Sequence, residues 1–216
     1  MVPRALPLLS VLLTLSTALA GGGGEAPTVT LNNPSCHPVI GTVTFRTSAD
    51  PAASRRLAQL FAQDQADRAV QPIDWSKVAP ADQARRQEAL QLLNAGRLSQ
   101  GEDFYHAAFL FEHGDCSQHY ELANLLAQQA MRRGSPSAGW LYAATFDRWM
   151  LSLGRPQKYG TQFVTEPEGC GVKLAPYDPA TTDAERTRLG APTLAVALRQ
   201  ADKLSALCNA RQSNGP

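Results

Sequence analysis

This sequence lacks most of the patterns that would assign it a chemistry. It contains no G-x-S-x-G, no H-E-x-x-H, no phosphate-binding glycine loop and no G-x-G-x-x-G. The familiar hydrolase elbow, zinc-protease and nucleotide-binding routes are therefore closed. No C-x-x-C pair occurs, which weighs against a thioredoxin-like centre or a zinc knuckle. Runs of like charge are missing too; Arg85-Arg86 and Arg132-Arg133 read as ordinary solvated helix faces. With 20 basic and 19 acidic residues, the chain offers no basic surface for nucleic acid or an anionic membrane. Long apolar runs are confined to the start. Arg4, the apolar stretch Leu6 to Leu19 and the small residues around Ala20 form a secretory leader over 1–20. Glycines follow it in place of a basic stop-transfer flank, so no stable membrane insertion is expected after cleavage. The expected location is secreted, periplasmic or cell-envelope.

Four cysteines remain after the leader: Cys36, Cys116, Cys170 and Cys208. An even count in an oxidising compartment predicts two disulfides, with three connectivities open and one bridge plus two buried thiols as the plainer alternative. The same compartment disfavours cysteine nucleophile chemistry.

What is present reads as an all-α domain of stacked αα-hairpins, five to seven helices in one globule, over 50–210. A short β-hairpin or extended arm at 21–49 precedes it. Thr28 to Leu31 and Thr42 to Phe45 alternate and are β-branched around an Asn-Asn-Pro-Ser-Cys-His-Pro turn. Asp50-Pro51 caps and starts the first helix. Trp75 falls in a connector, and Pro80 or Ala81 starts the second helix. Glycines at 96, 114, 134 and 154 close successive helices at near-regular intervals. Ser135 and Pro136 open a helix apolar on nearly every side, the mark of a central position. A long loop at 155–181 follows, of a length that is often functional. Thr182 or Asp183 starts a short helix. Pro192 starts the last one, with Leu194, Leu198, Ala201 and Cys208 on its core stripe.

Three groups of residues are candidates for chemistry, each with a structural alternative. Asp64 lies on the buried stripe of its helix, three residues after Phe61, with Gln65 beside it and Arg68 one turn on. An i,i+4 ion pair at the core edge would explain the same pattern. His113 stands at a helix end near Asp115 and His119, placed to act as acid or base. His106 is seven residues away, too far along a helix for shared metal ligation, so neither a metal nor a cofactor is expected. Asp147 and Arg148 sit in the apolar helix, where at least one must be interior and partnered. Gln157, Tyr159, Thr161 and Gln162 supply hydroxyl and amide groups in the loop beyond, for a small polar ligand or for Asp147 and Arg148 themselves.

Asp64-Gln65-x-x-Arg68, His113, Asp147-Arg148, Gln157-x-Tyr159-Gly160-Thr161-Gln162, Arg186 and Gly190 together resemble a helical bacterial family of unknown function. The shared motifs are D-Q-x-x-R, a Q-H-A-D-like step, D-R and Q-x-Y-G-T-Q. The likeness covers roughly 50–190 and departs at Glu112-His113-Gly114-Asp115. It implies a helical fold and a site at these residues, and no reaction.

Three readings follow. The first is an exported protein binding a small polar or anionic ligand between its helices and the Gln157–Gln162 loop. The second is a hydrolase-type enzyme with His113, Asp64 or Asp147 as acid or base. The third is a scaffold whose polar cluster only braces the long loop.

Overall fold

The computed structural model describes residues 26–166 and 169–213; the expected leader over 1–20 and the glycines after it lie outside them. The fold is mainly α-helical. Seven helices run among the described residues: α1 (Pro51–Ala69), α2 (Trp75–Asn94), α3 (Gly101–Glu112), α4 (Ser117–Arg132), α5 (Ala138–Ser152), α6 (Asp183–Arg188) and α7 (Leu194–Ser213). Two small antiparallel hairpins join them, β1–β2 (Thr28–Leu31, Gly41–Thr44) and β3–β4 (Phe163–Thr165, Val172–Leu174).

Alanines set the architecture. Ala107 and Ala108 of α3, Ala123, Ala127 and Ala130 of α4, and Ala138 of α5 are fully buried, letting these three helices approach closely. Leu57 and Leu60 of α1 and Phe104 and Phe111 of α3 fill the space between the layers. The centre is thus α3–α4. The sequence placed α5 there, but α5 flanks the core, and its surplus apolar residues meet the following loop or line a cleft. Trp140 remains 41% exposed and Leu153 45%.

Asp50 caps α1, its Oδ1 accepting from the Ala52 and Ala53 amides at 3.0 Å. Helix α2 starts earlier than Pro80 suggests. Asp74 caps it at Trp75, and Pro80 sits inside, where it forfeits one hydrogen bond in the second turn. Ser135 does not open α5, which is entered at Ser137. Its amide instead donates to the Ala130 carbonyl at 3.1 Å across the left-handed Gly134, closing α4. The same closure ends α2 at Gly96, α5 at Gly154 and α6 at Gly190. Gly114 departs from the pattern. Its φ is not positive, and a Cβ there would run into the His119 side chain, so it is small because His119 lies against it.

The disulfides pair Cys36 with Cys116 and Cys170 with Cys208. The first ties the β1–β2 arm to the start of α4; the second ties the β3–β4 hairpin, inside the predicted long loop, to α7. Leu198 is 42% exposed; of the expected α7 stripe only Ala201 is buried, and Ala197, off that stripe, is buried with it. Among the described residues, no helix is long and apolar enough to cross a membrane.

Candidate functional site

Asp64 continues the inward stripe of Leu57 and Leu60 and is 1% exposed. Facing it is His113, the C-cap residue of α3. The two Asp64 oxygens lie 3.0 and 2.9 Å from His113 Nδ1. A carboxylate only accepts, so Nδ1 carries a proton towards Asp64 and Nε2 lies on the ring's other side. Asp64 also accepts from Gln65 Nε2 and from Arg68 Nη1, each at 2.8 Å. Arg68 in turn grips Asp82 with both terminal nitrogens, at 3.2 and 2.6 Å, and Arg85 reaches Asp82 at 2.6 Å. Burial pushes the Asp82 carboxyl up, but bonds from these two arginines outweigh it and hold the group below its ordinary range.

Arg85 and Arg86 are not solvated faces. They are 6% and 3% exposed, because Asp82, Arg85, Arg86, Ala89 and Leu93 form one inward stripe of α2. That spacing was visible in the sequence. Arg86 donates to the backbone carbonyls of His113 (2.8 Å) and His37 (3.0 Å) and to Asp115 (2.9 Å), fixing the end of α3 from behind. His119 has no part in the cleft. It is fully buried, with Nε2–H donating to the Pro38 carbonyl at 2.9 Å, and burial lowers its pKa. His106 stacks on Phe61 at 4.7 Å, away from His113's partners.

Asp147 and Arg148 diverge. Asp147 is fully buried, and its carboxylate accepts from the amides of Lys158 (2.7 Å), Tyr159 (2.8 Å) and Thr161 (3.0 Å) and from the Thr161 hydroxyl (2.7 Å). Burial raises its pKa against the pull of those bonds. Gly160 turns with φ +78°, and a Cβ there would stand 2.9 Å from Nη1 of the buried Arg186. Gln157, also fully buried, bridges the Gln162 and Ala175 carbonyls and accepts from the Gln162 amide. Tyr159 packs against Tyr142 and Phe146, and burial pushes its phenol up to about 12. These three side chains, Asp147, Gln157 and Tyr159, face inward and hold the loop.

Arg148 faces out. Its Nε lies 2.8 Å from Glu112 Oε1, Nη1 donates to the Glu112 carbonyl (3.2 Å) and Nη2 to Gln162 Oε1 (3.1 Å). A guanidinium has five N–H groups, so one on each terminal nitrogen is left over. Glu112, which the sequence reading passed over, is 4% exposed; its Oε2 has no partner among the described residues. Burial raises its pKa to about 7, with Arg148 opposing and Asp147 assisting the shift. The α3 periodicity Phe104, Ala108, Phe111, Glu112 was the available signal.

Two cavities open here, of about 400 and 340 Å³, and both are lined by His113 and Arg148. Arg68, Asp82, Arg86, Asp115 and Trp75 complete the first; Glu112, Thr161, Gln162 and three aromatic rings complete the second. Of the predicted residues, the cleft therefore gathers Arg68, His113, Arg148, Thr161 and Gln162. Asp64 stands directly behind His113, and Gln65 lies on the outer side of Asp64 with its side chain exposed. For metal, the one cluster of potential ligands among the described residues is Cys36, Cys116 and His119, whose sulfurs are bridged and whose imidazole is committed. Compared with protein-family models, curated proteins and solved structures, the chain matches none.

Proposed function

We propose that this chain is an exported protein that binds a small anionic ligand in the cleft shared by His113 and Arg148. The observation carrying this reading is Arg148: it lies 2.8 Å from Glu112 Oε1, each terminal nitrogen makes one bond, to the Glu112 carbonyl and to Gln162, and the residue lines both cavities with N–H groups to spare. Spare N–H groups of this kind can meet the oxygens of a carboxylate or phosphate. Each cleft arginine has a carboxylate beside it, Arg68 with Asp64 and Asp82, Arg86 with Asp115, and Arg148 with Glu112, whose raised pKa sets the last pair apart. Export is supported by the leader and by two disulfides.

A second reading, hydrolase-type catalysis, is favoured by the Asp64–His113 pair. Asp64 orients the ring and would stabilise the imidazolium formed when Nε2 takes a proton from water or a substrate hydroxyl. Arg148 would then hold the charge that develops opposite. One experiment addresses both. A metabolite pool is screened by thermal shift against wild type, Arg148→Gln and His113→Gln, and hits are followed for turnover. Stabilisation lost in Arg148→Gln supports the ligand site; hits that shift Arg148→Gln equally would end it. A hit consumed by wild type, and bound but not consumed by His113→Gln, establishes the enzyme.

A further inference from the structure

The two cavities share His113 and Arg148 and differ in the rest of their lining. The larger is walled mainly by charged side chains that satisfy one another, among them Arg68–Asp82 and Arg86–Asp115. The smaller sets three rings, Phe109, Trp140 and Phe163, and Ala144 beside the polar groups of Glu112, His113, Arg148, Thr161 and Gln162. Trp140, Ala144 and Arg148 are spaced i, i+4, i+8 on one stripe of α5, a rise of about 12 Å. That stripe runs platform, gap, cation. Phe109 backs the Trp140 ring, centroids 6.4 Å apart and planes 25° from parallel, while the indole stays 41% exposed. Ala144 is the small residue between platform and cation, and Gln162 spans them, donating to the Ala144 carbonyl and accepting from Arg148.

We propose that the smaller cavity is a subsite for a flat ring, so that the ligand is a ring-bearing oxyanion whose acid group lies on Arg148 and whose ring lies over Ala144 against Trp140. This rests on Arg148 as the anion site and adds the class of group joined to it. A buried ring gains contact area and a favourable stacking geometry, on the order of tenfold in affinity. The larger, charged cavity then takes whatever polar part extends beyond His113.

Two probe pairs test this by calorimetric titration: 4-phenylbutyrate against butyrate, and benzylphosphonate against methylphosphonate. The expected result is about tenfold tighter binding of the ring-bearing member in at least one pair. That advantage falls away in Trp140→Ala and Phe163→Ala and persists in Trp75→Ala, whose indole lines the other cavity. Equal affinities within both pairs in wild type would overturn the ring subsite and leave the anion site standing, as would a ring advantage undiminished in both Trp140→Ala and Phe163→Ala. If all four probes fail to bind, or bind Arg148→Gln as well as wild type, the anion site itself falls.

Discussion

Asp64 and Asp147 make an instructive pair. Both are almost wholly inaccessible carboxylates, and each sits on a helix with an arginine close by. Asp64 gives its oxygens to side chains: an imidazole from another helix, an adjacent arginine and an amide. Asp147 gives its oxygens to the backbone of a loop, three amides and one hydroxyl. Removing the first frees groups with other recourse, because Arg68 still has Asp82 and His113 reaches solvent. Removing the second takes the shared acceptor from three loop amides and a hydroxyl, the Tyr159 amide among them buried. A buried aspartate is thus no marker of function in itself; the group it holds decides.

The comparison predicts an order of effects. Asp147→Asn should cost most, about 3 kcal/mol or more, since an amide nitrogen cannot accept from the Thr161 donors. Urea denaturation gives the value, and a loss below about 1 kcal/mol would dissolve the distinction. Glu112→Gln comes next and is best seen through pH. The carboxyl titrates at 4.5 ordinarily and near 7 in the fold, so between those values the folded state holds the extra proton. Wild-type stability therefore falls relative to Glu112→Gln as pH rises from about 4.5 to 7, and the gap then stays constant. Denaturation of both proteins at pH 5 and pH 8 should show the gap widening in the variant's favour; an unchanged gap would mean Glu112 is ionised throughout. The same titration should make the proposed anion binding at Arg148 tighter on the acid side, because a protonated Glu112 no longer offsets the guanidinium.

Asp64→Asn should cost only about 1–2 kcal/mol, one charge-assisted network with its partners still solvated or paired. Its effect on His113 should be larger than that cost implies, since the asparagine amide can reverse the tautomer. Nitrogen NMR of the imidazole would report the switch from Nδ1–H to Nε2–H; an unaltered tautomer would show that Asp64 only packs. Tyr159→Phe should be smallest, within about 0.5 kcal/mol, and should leave ligand binding as it is. A loss of binding there would place the phenol in the cleft after all and break the contrast.

Local signals in the chain were readable because their causes are local. Asp50 before Pro51 and Thr182 before Glu185 specify helix starts through bonds spanning three residues. Thr28 and Thr30 alternate on one face and meet Thr44 and Thr42 across the arm. The candidate residues were readable for the same reason: charge on an apolar stripe stands out at Asp64 and Asp147. Glu112 and Arg86 obeyed the same periodicity and were passed over, because their neighbours looked like an ordinary helix end and a basic surface pair. Ser135 misled through its type; a serine before a proline resembles a cap, while the long-range acceptor Glu102 took its hydroxyl at 2.7 Å.

Sequence alone determined that this chain is helical, where most helices stop, and which charges had to find partners indoors. Tertiary structure decided who those partners are: Cys36 with Cys116 across 80 positions, Asp64 with His113 across 49, Asp147 with its own loop. Capping and periodicity act over a turn or two of backbone, so a linear reading contains them. Pairing between helices depends on how close their alanine seams let them come and how each is rotated, and those quantities exist only once the layers have packed.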